Sequence, residues 1–122
     1  MQISHFLHAA VVVSDLAQAE HFYGTVLGLP KVDRALRFPG AWYQMGAGQI
    51  HLIANNPGFM PPQASGQAAK WGQNAHLALA VVDLQAAKHH LQAHGYEVQL
   101  SASGRSALFV KDPDGNVIEL SE

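Results

Sequence analysis

The chain has 122 residues, 48% of them hydrophobic and 13% charged, and a formal net charge of −2. This length and composition predict one soluble domain with a real core, and the lack of any Lys/Arg cluster argues against nucleic acid or an anionic membrane as a partner. The absence of cysteine excludes disulfides, thiolate zinc sites and a cysteine nucleophile, while eight histidines point to metal or proton chemistry. No apolar run approaches the roughly 20 residues of a membrane span and no signal peptide is evident, so we expect a cytoplasmic protein.

The first half of the chain predicts a strand, a helix and three further strands. The apolar run from His8 to Val13 is typical of a strand buried on both faces. Ser14 and Asp15 can cap the following helix, which ends at Gly28. The apolar residues of that helix recur at helical spacing: Leu16, Ala19, Phe22, Tyr23, Val26 and Leu27. The three further strands are predicted at Lys31–Phe38, Trp42–Gln44 and Gln49–Ala54.

The second half repeats the first after a linker, Asn55–Asn74, that is rich in Pro, Gly, Gln and Ala. The segment His76–Leu84 matches His8–Leu16 position for position, at a constant offset of 68 (76 − 8). A second helix closing at His94-Gly95 follows, and then three strands: Glu97–Leu100, Ala107–Lys111 and Val117–Leu120. The turn-forming residues between the last two strands predict a hairpin. The chain is therefore two copies of a β-α-β-β-β unit.

The repeat relates four polar residues. His51 follows His8 by 43 positions (51 − 8), and Glu119 follows His76 by the same 43 positions (119 − 76). A carboxylate inside an apolar strand such as Val117–Leu120 needs a cation or hydrogen-bond donors if it is buried. Neutral imidazole and carboxylate are ligands of Fe²⁺, Ni²⁺, Zn²⁺ and Mn²⁺, so this spacing predicts one divalent metal ion. The alternative is that the histidines are ordinary core or surface residues.

Two stretches are distinctive: the opening, from His8 to Leu29, and the close, from Phe109 to Leu120. They resemble the vicinal oxygen chelate superfamily, which includes glyoxalase I, bleomycin and fosfomycin resistance proteins and extradiol dioxygenases. The resemblance implies an α+β fold over residues 1–122, with two tandem β-α-β-β-β modules at about 4–54 and 75–121 and a linker at about 55–74. Those modules would form a half-open, eight-stranded, barrel-like cleft in which one metal ion binds adjacent oxygens of a small-molecule substrate.

The same resemblance implies roles for individual residues. The common His-His-Glu ligand set falls on His8, His76 and Glu119, and glyoxalase I has a further ligand at the position of His51. Bacterial glyoxalase I holds the glutathione carboxylate with an Arg and an Asn, at the positions that are Val12 and Asn55 in this chain. Losing that Arg removes a bidentate partner for a carboxylate, which argues against glutathione.

Three functions are consistent with these residues. The first is dioxygenase-type chemistry, which a His-rich site with one carboxylate favours because that set suits Fe²⁺. The second is a glyoxalase I-like isomerase (lactoylglutathione lyase) acting on a hemithioacetal, with Glu119 as the catalytic proton acceptor. The third is a metal-free, drug-sequestering binding protein. Tyr43 is a candidate donor of a proton to a bound oxyanion.

Two further expectations concern the surface. A homodimer is expected, because paired-module sheets of this size leave strand edges that association can cover. His90 and His94, four positions apart on the second helix, could share a metal ion, but the sequence shows no acidic third ligand nearby and favours exposed helix residues.

Overall fold

The computed structural model describes residues 1–54, 56–62 and 66–122. The chain divides into two compact units, Met1–Phe59 and Met60–Glu122, and the boundary lies inside the predicted linker. Within the described residues, no helix is long and apolar enough to cross a membrane.

The first unit is a three-stranded sheet with one helix. Its elements are β1 (His8–Val12), α1 (Leu16–Glu20, continued by a π-helical turn at His21–Val26), β2 (Gly40–Met45) and β3 (Gly48–Ile53). The strand order is β1-β3-β2, with β1 parallel and β2 antiparallel to the central β3. One face of this sheet packs against the helix, and the other carries the polar side chains of the candidate functional site.

Helix α1 begins and ends where the sequence predicts. The Asp15 side chain accepts a hydrogen bond from the Gln18 backbone N–H, and Gly28 adopts a φ of 73° just beyond the helix. The π-helical turn is visible in the bond from the Leu27 N–H to the Phe22 carbonyl, which spans five residues. Four residues of the predicted stripe are buried: Ala19, Phe22, Tyr23 and Val26.

The prediction of a strand over Lys31–Phe38 is wrong for most of that segment. Only a single bridge forms there, between Lys31 and Tyr43, supported by a bond from the Val32 N–H to the Trp42 carbonyl. Between Val32 and Pro39, Leu36 is the one residue that is partly buried, so few apolar contacts hold this segment against the sheet. The first unit therefore has three strands where the sequence predicted four.

The second unit is a four-stranded sheet with one helix. Its elements are a short 3₁₀ turn (Trp71–Gln73), β4 (His76–Ala80), α2 (Leu84–Ala93), β5 (Val98–Leu100), β6 (Ala107–Lys111) and β7 (Val117–Ser121). The order is β4-β7-β6-β5, with β4 parallel to β7 and the other pairs antiparallel. Asp83 caps α2 through the Ala86 N–H, as Asp15 caps α1.

The predicted hairpin between β6 and β7 is confirmed. The buried Asp112 carboxylate accepts hydrogen bonds from the backbone N–H groups of Asp114 and Asn116 and from the Asn116 side-chain amide. Gly115 has a φ of 90°, which a side chain rarely tolerates. These local bonds fix the register of β7, and hence the face on which Glu119 lies.

Each sheet packs one face into an apolar core. The largest fully buried side chains of the two cores are Phe22, Tyr23, Tyr43, Leu52, Leu91, Leu108 and Ile118. The α+β class is as predicted, and the predicted β-α-β-β-β order is found in the second unit, whereas the first unit lacks one of its four predicted strands.

Candidate functional site

The two units place one polar pair each at the same register of the same strand pairing. In the first unit Ala10 lies opposite His51, and in the second Ala78 lies opposite Glu119. Ala78 follows Ala10, and Glu119 follows His51, by the offset of 68 found in the sequence. Since side chains alternate faces along a strand, His8 shares a face with His51, and His76 shares a face with Glu119.

The first pair is part of a stack of planar groups. The rings of His8 and His51 are stacked, with centroids 4.0 Å apart and planes 15° apart. Trp42 covers the imidazole of His51 at 3.9 Å and 3°, and the Arg34 guanidinium lies 4.3 Å from the centre of the indole. Burial, followed by the charges of His8 and Arg34, lowers the pKa of His51 from its ordinary 6.5. His51 is therefore kept neutral, the form in which imidazole binds metals.

This stacking limits what the first pair can coordinate as it stands. Imidazole lone pairs lie in the ring plane, so two nearly parallel rings direct their nitrogens side by side rather than toward one point. One ring must rotate before His8 and His51 can bind the same ion. The Nε2 atom of His51 is also engaged, 2.8 Å from the Gln49 side-chain oxygen.

The second pair converges. Nε2 of His76 lies 3.0 Å from Oε2 of Glu119, and Nδ1 of His76 lies 2.7 Å from the Asn74 carbonyl oxygen. A carbonyl and an ionised carboxylate both only accept hydrogen bonds, so each ring nitrogen of His76 donates in these two contacts. Nε2, which faces the carboxylate, has to release its proton before it can bind a metal ion. Metal-binding histidines are oriented in this way, with the second nitrogen donating to a carbonyl or carboxylate.

Glu119 is buried and has two further partners. Its Oε1 atom accepts hydrogen bonds from Arg105 and from the Ser121 hydroxyl, each at 2.9 Å. Burial alone would raise the pKa of Glu119, but the Ser121 bond, the Arg105 charge and His76 outweigh it and lower the pKa. The carboxylate is thus ionised and oriented at neutral pH.

These donor sets fit a borderline divalent ion. Imidazole nitrogen and carboxylate oxygen are its usual ligands, and the His76–Glu119 pair is already oriented for one. In the part of the chain that the structure describes, no three His, Asp or Glu side chains are grouped as they would be around one ion, so neither pair is by itself a complete site.

Two predicted residues are placed elsewhere or are not described. Tyr43 follows Trp42 in β2, so it lies on the opposite face from His51, packed against the helix and 1% exposed. Burial and the nearby Glu20 charge raise the pKa of Tyr43 to about 12. Tyr43 is therefore a core residue on the face away from His51, and its catalytic role stays a prediction. Asn55 lies outside the described residues, and Val12 is a partly buried residue of β1.

The structure adds residues that the sequence did not assign to the metal site. Ser121 could have been found from the sequence, because it lies two positions after Glu119 and shares its face. No spacing in the sequence indicates that Arg105 contacts Glu119, because Arg105 reaches it from the loop between β5 and β6.

A cavity of about 530 Å³ lies in the second unit, next to Arg105. Phe109 forms an apolar part of its wall, and Lys70 and Arg105 are its charged residues. Phe109 also touches His76 edge-on, with ring centroids 5.6 Å apart. Leu100 is a second large apolar residue of the wall, and the rest of the lining is small or polar: Gly72, Gln73, Gln99, Ser101, Ala102 and Ser103.

Comparison with known proteins decides the family. Residues 5–120 match the model of the Glyoxalase/Bleomycin resistance protein/Dioxygenase superfamily. The chain belongs to this superfamily. The resemblance inferred from the two ends of the sequence is thereby confirmed over nearly its whole length.

Solved structures agree on the fold. A glyoxalase family protein from Bacillus anthracis is 26% identical, with a TM-score of 0.78 over 98% of this chain and 95% of that one. TnmS3, an antibiotic binding protein from Streptomyces sp. CB03234, is 28% identical, with a TM-score of 0.73 over 99% and 97%. Lactoylglutathione lyase from Agrobacterium tumefaciens is 20% identical, with a TM-score of 0.67 over 98% and 93%, which shows the shared fold alone.

Proposed function

We propose that this superfamily member is a metal-dependent enzyme that binds two neighbouring oxygens of a small molecule, with His8, His76 and Glu119 as ligands and His51 as a fourth. The observation that carries the proposal is the His76–Glu119 pair, whose Nε2 and Oε2 atoms lie 3.0 Å apart while the Asn74 carbonyl holds Nδ1. The ion would be Fe²⁺, Ni²⁺, Zn²⁺ or Mn²⁺.

The equal register within the two units supports this choice of ligands. His8 and His51 occupy the positions in the first unit that His76 and Glu119 occupy in the second. When bound, the ion would act as a Lewis acid toward the substrate oxygens. Arg105 and Ser121 would keep Glu119 oriented, and the cavity beside Phe109 offers space for the rest of the substrate.

Between the two reactions, we favour dioxygenase-type chemistry over isomerisation. The isomerase role requires Glu119 to move and accept a proton, whereas Arg105, Ser121 and His76 all hold this carboxylate in place. Val12 also lacks the charge that would bind the glutathione carboxylate. A His-His-Glu set whose carboxylate stays in place suits an Fe²⁺ oxygenase.

One paired experiment tests the reaction. The protein is loaded anaerobically with Fe²⁺ and assayed in an oxygen electrode over a panel of catechols. In parallel, protein loaded with Ni²⁺ or Zn²⁺ is assayed on the methylglyoxal–glutathione hemithioacetal. Oxygen uptake that is lost in Glu119→Ala supports the proposal, whereas isomerisation without oxygen uptake reverses the preference.

Metal-free binding of a small molecule is the second candidate. The stack of His51, Trp42 and Arg34 shows that this face accommodates planar groups, and the antibiotic binding protein TnmS3 is 28% identical. Chelator-treated protein that binds planar drugs at micromolar concentration, with quenching of Trp fluorescence lost in Trp42→Leu, would support this function.

We also propose that the protein is a cytoplasmic homodimer. Among the described residues, strands β1 and β4 each pair with one strand of their sheet, and Ala10, Ala78 and Ala80 on them are exposed. Sedimentation at micromolar concentration tests the dimer, and monomer alone would contradict it. Mixing His8→Ala with Glu119→Ala protein tests whether the ligands come from two chains, because only then can a mixed dimer regain one intact site.

A further inference from the structure

His90 and His94 form a compact pair at the C-terminal end of α2. Their ring centroids are 4.3 Å apart and their planes are inclined by 47°. Both residues are exposed, whereas Leu91 between them is 1% exposed and anchors this turn in the core of its unit. We propose that the pair is a surface site for a borderline divalent ion such as Zn²⁺, Cu²⁺ or Ni²⁺, formed by residues other than the four proposed ligands.

The tautomer of His94 suits coordination. Its Nδ1 atom lies 2.8 Å from the His90 carbonyl oxygen, which can only accept, so Nδ1 carries the proton. In the neutral ring Nε2 therefore keeps the lone pair that a metal needs. The backbone N–H of His94 also bonds to the carbonyls of His90 and Leu91, so the residue is fixed at both its backbone and its ring. This is the orientation that metal-binding histidines show.

The position on the helix favours a cation as well. Residues four apart project from the same side of a helix, which lets two imidazoles reach one ion. The last turn of α2 carries the partial negative charge of the unsatisfied carbonyls, and it attracts cations. Among the described residues no third His, Asp or Glu completes a cluster, so water fills the remaining positions and the site binds more weakly than a three-ligand centre.

The test is a Zn²⁺ titration of the full chain, followed by NMR of the histidine rings. Zn²⁺ is expected to shift the ring signals of His90 and His94 together, with one apparent Kd. His94→Gln should weaken the response of His90 by roughly tenfold or more, since losing even an outer partner of a metal ligand costs about 10–100-fold in affinity. His89→Gln is the matched control, because it removes an exposed neighbouring histidine of the same helix.

Each outcome decides the proposal. Signals of His90 and His94 that do not move at millimolar Zn²⁺ would overturn it. So would an unchanged response of His90 in His94→Gln, because each ring would then bind alone. A second measurement uses untagged protein on an immobilised Ni²⁺ resin. The double variant His90→Gln/His94→Gln should elute at lower imidazole than wild type, and an equal shift in His89→Gln would count against the pair.

Discussion

Arg105 donates a hydrogen bond from Nη2 to Oε1 of Glu119 across 2.9 Å, joining a side chain that is 60% exposed to one that is 6% exposed. The Arg105 side chain is largely exposed, so water screens its attraction to the carboxylate. Its importance lies in Glu119, whose buried charge needs donors.

The first prediction concerns this pair in metal-free protein. Arg105→Gln removes the positive charge but keeps an amide donor, and should lower the free energy of unfolding at pH 7 by about 1 kcal/mol. Urea unfolding measures it. Lys88→Gln, which removes a cation from α2, is the control and should leave the stability within about 0.5 kcal/mol. A loss of equal size in both variants would show that Arg105 has no specific role.

The second prediction is a pH dependence. The native pKa of Glu119 is lowered below its ordinary 4.5, so the native state binds this proton less readily than the unfolded chain. The stabilisation from Glu119 is therefore complete above about pH 4.5 and is lost as the pH falls through the lowered native pKa. Metal-free Glu119→Gln should lack this part of the acid-induced loss in urea unfolding between pH 6 and pH 3. Parallel curves for the two proteins would contradict the prediction.

The third prediction tests the metal ligands singly. His76→Ala and Glu119→Ala should each lose tightly bound, stoichiometric metal, because each removes one convergent donor of the second pair. His90→Ala should retain it, since that residue lies on the exposed end of α2. Elemental analysis after gel filtration measures the content. Full metal content in both ligand variants would refute the assignment.

The fourth prediction concerns the stack on His51. Trp42→Ala uncovers the imidazole, and since burial is the main cause of its lowered pKa, the pKa of His51 should rise toward 6.5. NMR titration of the histidine rings measures the shift. Tyr43→Phe, on the opposite face of the same strand, should leave the pKa of His51 unchanged. An equal change in both variants would mean that the stack does not set the pKa.

Local chemistry explains why most of the fold was predictable. The caps Asp15 and Asp83, the positive-φ glycines and the β6–β7 turn each act within a few residues, so the sequence alone reveals them. The segment 31–38 was predicted as a strand because it contains spaced apolar residues, but the sheet supplies pairing partners only near Lys31. Strand propensity depends on those partners, which the sequence of the segment does not contain.

The candidate site was predictable where the repeat applied. The spacing of 43 selected both pairs, and the structure gives both the same register. Arg105 and the Asn74 carbonyl were not predictable, because they reach Glu119 and His76 through loop conformation. The placement of Tyr43 was within reach of the sequence, since neighbours on a strand face opposite ways.

Because the registers of β1–β3 and β4–β7 place the two pairs, each pair depends on the length of its own strands and not on the length of the connection between the units. Each pair is fixed inside one unit, so residues added at positions 56–62 leave both pairs intact. One residue inserted in β3 before His51, or in β7 before Glu119, would turn that side chain to the opposite face and into the apolar core. Variation in chain length among functional relatives should therefore be concentrated in the connection, while the strands that carry the pairs keep their lengths.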